Sequence, residues 1–181
     1  MNERLKFAYE QMTRNTNQQI ERTVPPEWVE ANKNSIIMEG VYFPTMGFGY
    51  EWDFDLEKYI KIIHTGKVLI HENVIIHSGA NIVRGTGDSD VTEIGEGTKI
   101  DYGVHIAHNV KIGKNCLIVA GSIIGGSVTI GDNCFIGIGA MIKNKIRIGN
   151  NVIIGMGAVV IRDIPDNETW VGNPAHKLEK I

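Results

Sequence analysis

Residues 94–160 read IGEGTK-IDYGVH-IAHNVK-IGKNCL-IVAGSI-IGGSVT-IGDNCF-IGIGAM-IKNKIR-IGNNVI-IGMGAV-V when written in blocks of six. An aliphatic residue opens every block: Ile94, Ile100, Ile106, Ile112, Ile118, Ile124, Ile130, Ile136, Ile142, Ile148, Ile154 and Val160. A period of six fits neither the 3.6-residue turn of a helix nor the alternation of a half-buried strand. It fits a solenoid, in which each block is one short strand with its corner and stacked coils share a continuous core. The fifth position is small or β-branched, from Thr98, Val104, Val110 and Cys116 to Val152, Ala158 and Ile164. Such residues suit the interior of a narrow coil. The second position is Gly at 95, 113, 125, 131, 137, 149 and 155, which reads as a corner with backbone angles that favour glycine. The register continues upstream through Ile70, Ile76 and Ile82, and only the block beginning at Asp88 lacks its aliphatic residue.

This pattern resembles the hexapeptide-repeat acyltransferases. The resemblance implies an all-β fold, a left-handed parallel β-helix, in which three blocks make one triangular coil. Residues 18 apart would then lie one above the other, at about the 4.8 Å spacing of neighbouring strands. An alternating antiparallel protein would carry hairpin signals between its strands, and none recur at regular spacing. The expected organisation is an N-terminal helix and capping segment over residues 1–66, the β-helix over 67–165, and a tail over 166–181. Residues 3–22 carry Leu5, Ala8, Tyr9 and Met12 in an amphipathic pattern, and Pro25-Pro26 stops any helix. The aromatic stretch from Tyr42 to Tyr59 reads as early strands and a long loop over the first coil. Lys177–Ile181 reads as a short closing helix.

The 181 residues suit one domain or one with a small attachment. A net charge of −3 provides no basic stripe, which argues against nucleic acid as a partner. No apolar run approaches the roughly 20 residues that span a bilayer, and the polar N-terminus lacks the core of a signal peptide. A cytoplasmic protein is the expectation. Cys116 and Cys134 are 18 apart in the same block position, so the fold would bring them together as buried, inert thiols.

The chemistry concentrates in VRGTGDSDVTEIGEGTKIDYGVHIAHNVKIGK, residues 83–114. Acyl transfer needs a base near neutral pKa for the nucleophile's proton, and histidine suits that task. It also needs donors for the oxyanion of the tetrahedral intermediate. His108 is the candidate base, and Gly126, one 18-residue step beyond it, would leave an unobstructed backbone N–H beside the imidazole. Asp90 lies one 18-residue step before His108, as a ring orienter or an anchor for a substrate amine; a bulge over 85–90 would break that stacking. His105, Asp101, Asn109 and Arg84 complete the candidate substrate set, with Asp101 and Asn109 expected to flank the base and orient it. Phe48, Tyr50 and Trp52 suit either a sugar or base, or ordinary packing. His64, His71 and His176 carry no assignment.

The string GVHIAHN, followed by that glycine, resembles the lipid A acyltransferases, both the O-acyltransferase acting on UDP-GlcNAc and the N-acyltransferase acting on UDP-glucosamine. The N-acyltransferase is the closer match, through Gly47-Phe48-Gly49-Tyr50 and the segment Arg84-Gly85-Thr86-Gly87-Asp88-Ser89-Asp90. In both families the residue matching His108 is the general base and the one matching Gly126 serves the oxyanion. The family's second active-site histidine falls at Lys145. About 46 residues before the match are too few for its uridine-binding domain, and its C-terminal helical extension is missing. The closing segment, GMGAVVIRDIPDNETWVGNPAHKLEKI, resembles instead the small CoA-dependent sugar and serine acetyltransferases. That implies acetyl-CoA as co-substrate, with no permanently bound cofactor and no metal, and Gly155, Gly157, Arg162, Asn173, Pro174 and Lys177 along the CoA groove.

These features together predict an enzyme that moves a short acyl group, acetyl by expectation, from CoA to an amino sugar, nucleotide-linked by expectation. The resembling families imply a homotrimer with its sites between subunits. Rival readings are an acyl carrier protein donor with a longer chain, O-acylation, and a non-catalytic assembly subunit. A zinc hydratase of the γ-carbonic anhydrase type needs three histidines meeting across a subunit boundary, and His71, His77, His105 and His108 lack that spacing.

Overall fold

A computed structural model describes residues 23–179, and in it the six-residue period becomes three sheets that face a common core. The first face stacks Val29–Ala31, Lys67–Ile70, Val91–Ile94, Lys111–Ile112, Thr129–Ile130 and Arg147–Ile148. The second stacks Ile36–Ile37, Ile75–Ile76, Lys99–Ile100, Leu117–Ile118, Phe135–Ile136, Ile153–Ile154 and Thr169–Val171. The third stacks Asn81–Ile82, His105–Ile106, Ile123–Ile124, Met141–Ile142 and Val159–Val160. All these neighbours pair in parallel, at 18-residue steps from Ile94 to Val160, as in Ile94 on Ile112 and Ile106 on Ile124, and at a step of 16 where Thr169–Val171 closes the second face.

The block-opening aliphatics point inward. Ile94, Ile100, Ile106, Ile124, Ile136 and Ile154 are wholly buried, each such side chain stabilising the fold by about 1.5–3 kcal/mol. The buried hydroxyls are satisfied by backbone carbonyls. Thr98 Oγ1 donates to Gly113 O (2.8 Å) and Ser122 Oγ to Val119 O (2.6 Å). Cys116 and Cys134 are buried free thiols, and the neighbouring Cys134 thiol, together with burial, raises the Cys116 pKa.

The glycines at the second block position have a different cause from the one expected. None has a positive φ. The left-handed residue is the fourth of the block, filled mainly by Gly97, Gly103, Gly121, Gly139 and Gly157 or by Asn109, Asn115, Asn133 and Asn151. Asparagine tolerates that conformation because its short polar side chain can hydrogen-bond locally. The second-position glycines permit close approach between coils. A Cβ on Gly113 would lie 2.6 Å from the carbonyl carbon of Gly131, one coil on.

Coiling begins at Val29, ahead of Lys67, so part of the segment read as a cap is a complete turn. Val29 stacks on Val68 and Ile37 on Ile76, steps of 39 where 18 is regular. The surplus is extruded as an antiparallel hairpin, Tyr50–Asp53 against Lys58–Lys61. Ile70, Ile76 and Ile82 stack on Ile94, Ile100 and Ile106 at steps of 24. The second surplus, six residues long, forms the 85–90 loop, which explains the missing aliphatic in the block at Asp88. Both excursions leave the coil at one corner, between the third face and the first.

The helix expected over 3–22 lies outside the described residues. The closing helix expected from Lys177 is replaced by a strand, His176–Lys177, antiparallel to Thr169–Val171. The five residues from Lys177 are too few to make a stable helix, whereas the second face leaves an edge for a strand to extend.

Gly113→Ala is expected to destabilise the protein by about 1–3 kcal/mol through overpacking, and Asn115→Gly by less than about 1 kcal/mol, since glycine also accepts a positive φ. Denaturant unfolding checks both. A neutral Gly113→Ala would mean that coil spacing does not require the glycine.

Candidate active site

The corner that releases both excursions also carries His108. Ile106 ends the strand on the third face, Lys111 begins the next on the first, and Ala107–Val110 turn between them, with Asn109 at a φ of 60°. Gly126 holds the same position one coil on. A Cβ there would lie 2.6 Å from His108 Nε2 and 2.7 Å from Cε1, so the imidazole rests on the bare Cα. Any side chain would displace the ring. The Gly126 carbonyl accepts from Lys145 N–H (2.9 Å), and Ser127 N–H donates to His108 O (2.9 Å). The Gly126 N–H has no backbone acceptor among the described residues. An imidazole nitrogen and a backbone N–H without a backbone acceptor therefore stand side by side.

The coil preceding His108 differs from the 18-residue expectation. Because the step there is 24, Arg84 takes the position below His108. Its guanidinium donates to Gly66 O and Thr65 O (2.7 Å each) and covers the Trp28 ring at 4.5 Å, so it pins the hairpin's return to the coil. Asp90 comes back through the 85–90 loop. Its Oδ2 accepts from Thr86 Oγ1 (2.5 Å), Gly87 N–H (2.9 Å) and Asn109 Nδ2 (3.0 Å). Asn109 Oδ1 in turn accepts from Thr86 N–H, and its own N–H donates to Thr92 Oγ1. The bulge breaks the stacking of Asp90 on His108 and still delivers the carboxylate to the neighbouring residue. The Thr86 hydroxyl, with the Gly87 and Asn109 donors, holds the Asp90 carboxyl below its usual range.

His108 is half-buried. Burial lowers its pKa first and the nearby His64 lowers it further, while the Asp90 carboxylate raises it. Neither ring nitrogen has a hydrogen-bond partner among the described residues, and Nδ1 is shut away from solvent. His64, which carried no assignment, is 2 % exposed and makes a T-shaped contact with His108, ring centroids 5.5 Å apart. The hairpin places it there. A Cβ on Gly47 would meet His64 Nε2 at 2.6 Å and one on Gly49 would meet Cε1 at 2.9 Å, so two glycines of the GFGY segment clasp this ring. With the two histidines 44 positions apart and an irregular excursion between them, no periodicity reveals their contact.

The remaining candidates are dispersed. His105 lies outward on the third face between Asn81 and Ile123, where burial lowers its pKa. Asp101 sits at the corner between the second and third faces, where its carboxylate accepts from Ala120 N–H (3.2 Å) and Tyr102 N–H (2.8 Å), so it does not flank the base. Arg162 lies on the His108 corner three coils on, about 14 Å away at strand spacing, with its guanidinium 5.5 Å from the Trp170 ring centroid. Gly155 and Gly157 occupy the corner between the second and third faces, against the closing turn. There Val159 N–H donates to Gly172 O and Ala175 N–H to Val159 O, and the Asn173-Pro174 bond is cis. Lys177 is paired with Glu168 (2.7 Å). Phe48 stacks edge-on to Tyr50 and Trp52 to Tyr59 along the exposed hairpin. No helix among the described residues is long and apolar enough to cross a membrane, and none of their His, Cys, Asp and Glu side chains form a group of three or more able to hold a metal ion.

A family model, bacterial transferase hexapeptide (six repeats), matches residues 92–126 and 127–162. A UDP-3-O-acylglucosamine N-acyltransferase from Caulobacter vibrioides is 55% identical over 116 residues, 64% of this chain and 33% of that protein. The chain thus spans about one third of the length of the curated relatives it matches. Among solved structures, LpxA from Acinetobacter baumannii is similar with a TM-score of 0.73 at 22% identity, over 83% of this chain and 55% of that one. A UDP-N-acetylglucosamine acyltransferase from Campylobacter jejuni gives 0.61 at 29% identity, over 62% and 45% of the respective chains. The all-β coil of parallel sheets and these likenesses fit a left-handed β-helix.

The His108 midpoint in an NMR titration is expected below the ordinary value of about 6.5, so the ring is neutral at pH 7 and gains its proton only as pH falls. Asp90→Asn removes the carboxylate that favours the protonated form and moves the midpoint lower still. A midpoint above 6.5 would show that burial does not dominate.

Proposed function

The chain belongs to the hexapeptide-repeat transferase family, and from that premise we propose that it is an N-acyltransferase that moves a short acyl group from CoA to a nucleotide-linked amino sugar. The observation that carries this reading is the contact of His108 Nε2 with the bare Cα of Gly126, beside an N–H without a backbone acceptor. The similarity to a UDP-3-O-acylglucosamine N-acyltransferase supports the acceptor class.

The sugar's amine attacks the thioester carbonyl, and His108 Nε2 takes the proton the nitrogen must lose. The carbonyl oxygen, now carrying the negative charge, accepts from the Gly126 N–H. Collapse of the tetrahedral intermediate breaks the C–S bond, and the proton held by His108 passes to the departing sulfur. The new bond is an amide, and no acyl group rests on the protein. His108 is neutral near pH 7, which keeps it available as a base.

The donor's arm lies along the outward row of the third face, His105, Ile123, Met141 and Val159, toward the 172–175 turn. Met141 and Ile123 are exposed there and give an apolar strip for a pantetheine chain. Arg162, Lys143 and Lys145 supply cations for phosphates near the His108 corner. Lys177, neutralised by Glu168, is not among them. A corner of a triangular coil is convex, so the wall facing His108 comes from a second subunit. Leu117, Phe135, Ile138, Ile153 and Met156 leave apolar surface exposed on the second face and its adjoining corner, and its burial favours a homotrimer.

Thiol release from acetyl-CoA against a panel of nucleotide-linked amino sugars tests the reading. The expected result is turnover on one amino sugar that falls at least about 100-fold in His108→Ala, the lower end for loss of a general base. Turnover only with acyl carrier protein thioesters would overturn the CoA assignment, and turnover that survives His108→Ala would overturn the base.

A further inference from the structure

His64 and His108 are neighbouring imidazoles, and each holds one buried nitrogen with no partner: Nε2 on His64 and Nδ1 on His108. Two orphaned polar atoms on touching rings are costly unless they serve each other. The state of His64 follows from its other nitrogen. Nδ1 lies 3.1 Å from Ile62 O, which can only accept, so Nδ1 carries the proton and Nε2 of the neutral ring presents a lone pair. The bare Cα atoms of Gly47 and Gly49 lie against the His64 ring and confine it to this corner.

We propose that His64 is a positioning residue for the base: its Nε2 accepts a hydrogen bond from His108 Nδ1–H, so that Nε2 is the basic nitrogen of His108 beside Gly126. The centroid separation of 5.5 Å is within about half an ångström of what an N–H···N bond between two imidazoles spans, and a small rotation of either ring closes it. An orienting partner on the second nitrogen decides which nitrogen of a histidine takes the proton. When His108 Nε2 gains the substrate's proton, Nδ1 keeps its own, and the bond to His64 becomes charge-assisted and stronger. Arg84, one coil below His108, can only donate, and the nearby carboxylate is that of Asp90, on the 85–90 loop. Its Oδ2 is committed to Thr86, Gly87 and Asn109, which leaves the orienting role to His64. This assignment rests on the acyl-transfer reading for what His108 does, but the ring geometry does not.

The test is imidazole ¹⁵N NMR of the full chain at pH 7.5, with His64→Leu and His64→Gln beside wild type and thermal melting as the check on folding. Wild type is expected to show His108 as the Nδ1–H tautomer. His64→Leu removes the acceptor and shifts His108 toward Nε2–H, while His64→Gln, whose amide oxygen can still accept, retains Nδ1–H. In turnover, His64→Leu is expected to lower kcat about tenfold or more with KM little changed, and His64→Gln to restore most of it. A folded His64→Leu that keeps the wild-type tautomer overturns the proposal, whatever its activity. A tautomer shift in a protein without turnover on any thioester supports the positioning role and counts against acyl transfer instead.

Discussion

Coil-to-coil hydrogen bonds repeat along the three faces of the molecule: Lys99 N–H to Cys116 O, His105 N–H to Ser122 O and Lys111 N–H to Val128 O within a single turn. Each coil satisfies its backbone only through the coils above and below it, as the strands of a parallel sheet do. The register between coils is therefore tightly constrained. A slip of one residue would turn Ile106 and Ile124 outward and bring His105 and Ile123 into the core. The second-position glycines belong to the same constraint, because backbone packed this closely leaves no room for a Cβ at Gly95, Gly113 or Gly131.

Extra chain can leave such a coil only at a corner, and here both surpluses use the corner that holds His108. The hairpin supplies His64 and the glycines that clasp it, while the six-residue loop supplies Asp90 and Thr86. Gly66 and Gly85 allow the loop's base to close, since a Cβ on either would fall within 2.2 Å of Asp90 O. The regular stack thus provides the His108 and Gly126 pair, and the departures from regularity provide its surroundings. Rigid coils and a neutral, half-buried imidazole suit the proposed site, which must hold two reactants in line.

Legibility in the sequence follows the same division. His108 and Gly126 lie in uninterrupted repeats, so counting 18 residues was enough to bring them together. Below His108 the count fails by six, which places Arg84 where Asp90 was expected and turns Arg84 into a brace for the hairpin. His64 was beyond reach because its position depends on the path of an excursion that has no period. Asp101 was misplaced for a simpler reason: it is seven residues before His108 along the chain, and a face of the prism lies between their corners. The second-position glycines look the same in the sequence whether they serve backbone conformation or close packing, and here they serve packing.

The most direct measurement is a crystal structure with a non-hydrolysable acyl-CoA analogue and the acceptor sugar bound. The sugar nitrogen is expected within about 2.6–3.2 Å of His108 Nε2, with the acyl oxygen facing the Gly126 N–H. Ligands seated in the charged groove lined by His71, Glu93, Lys111 and Asp132, away from that pair, would contradict it.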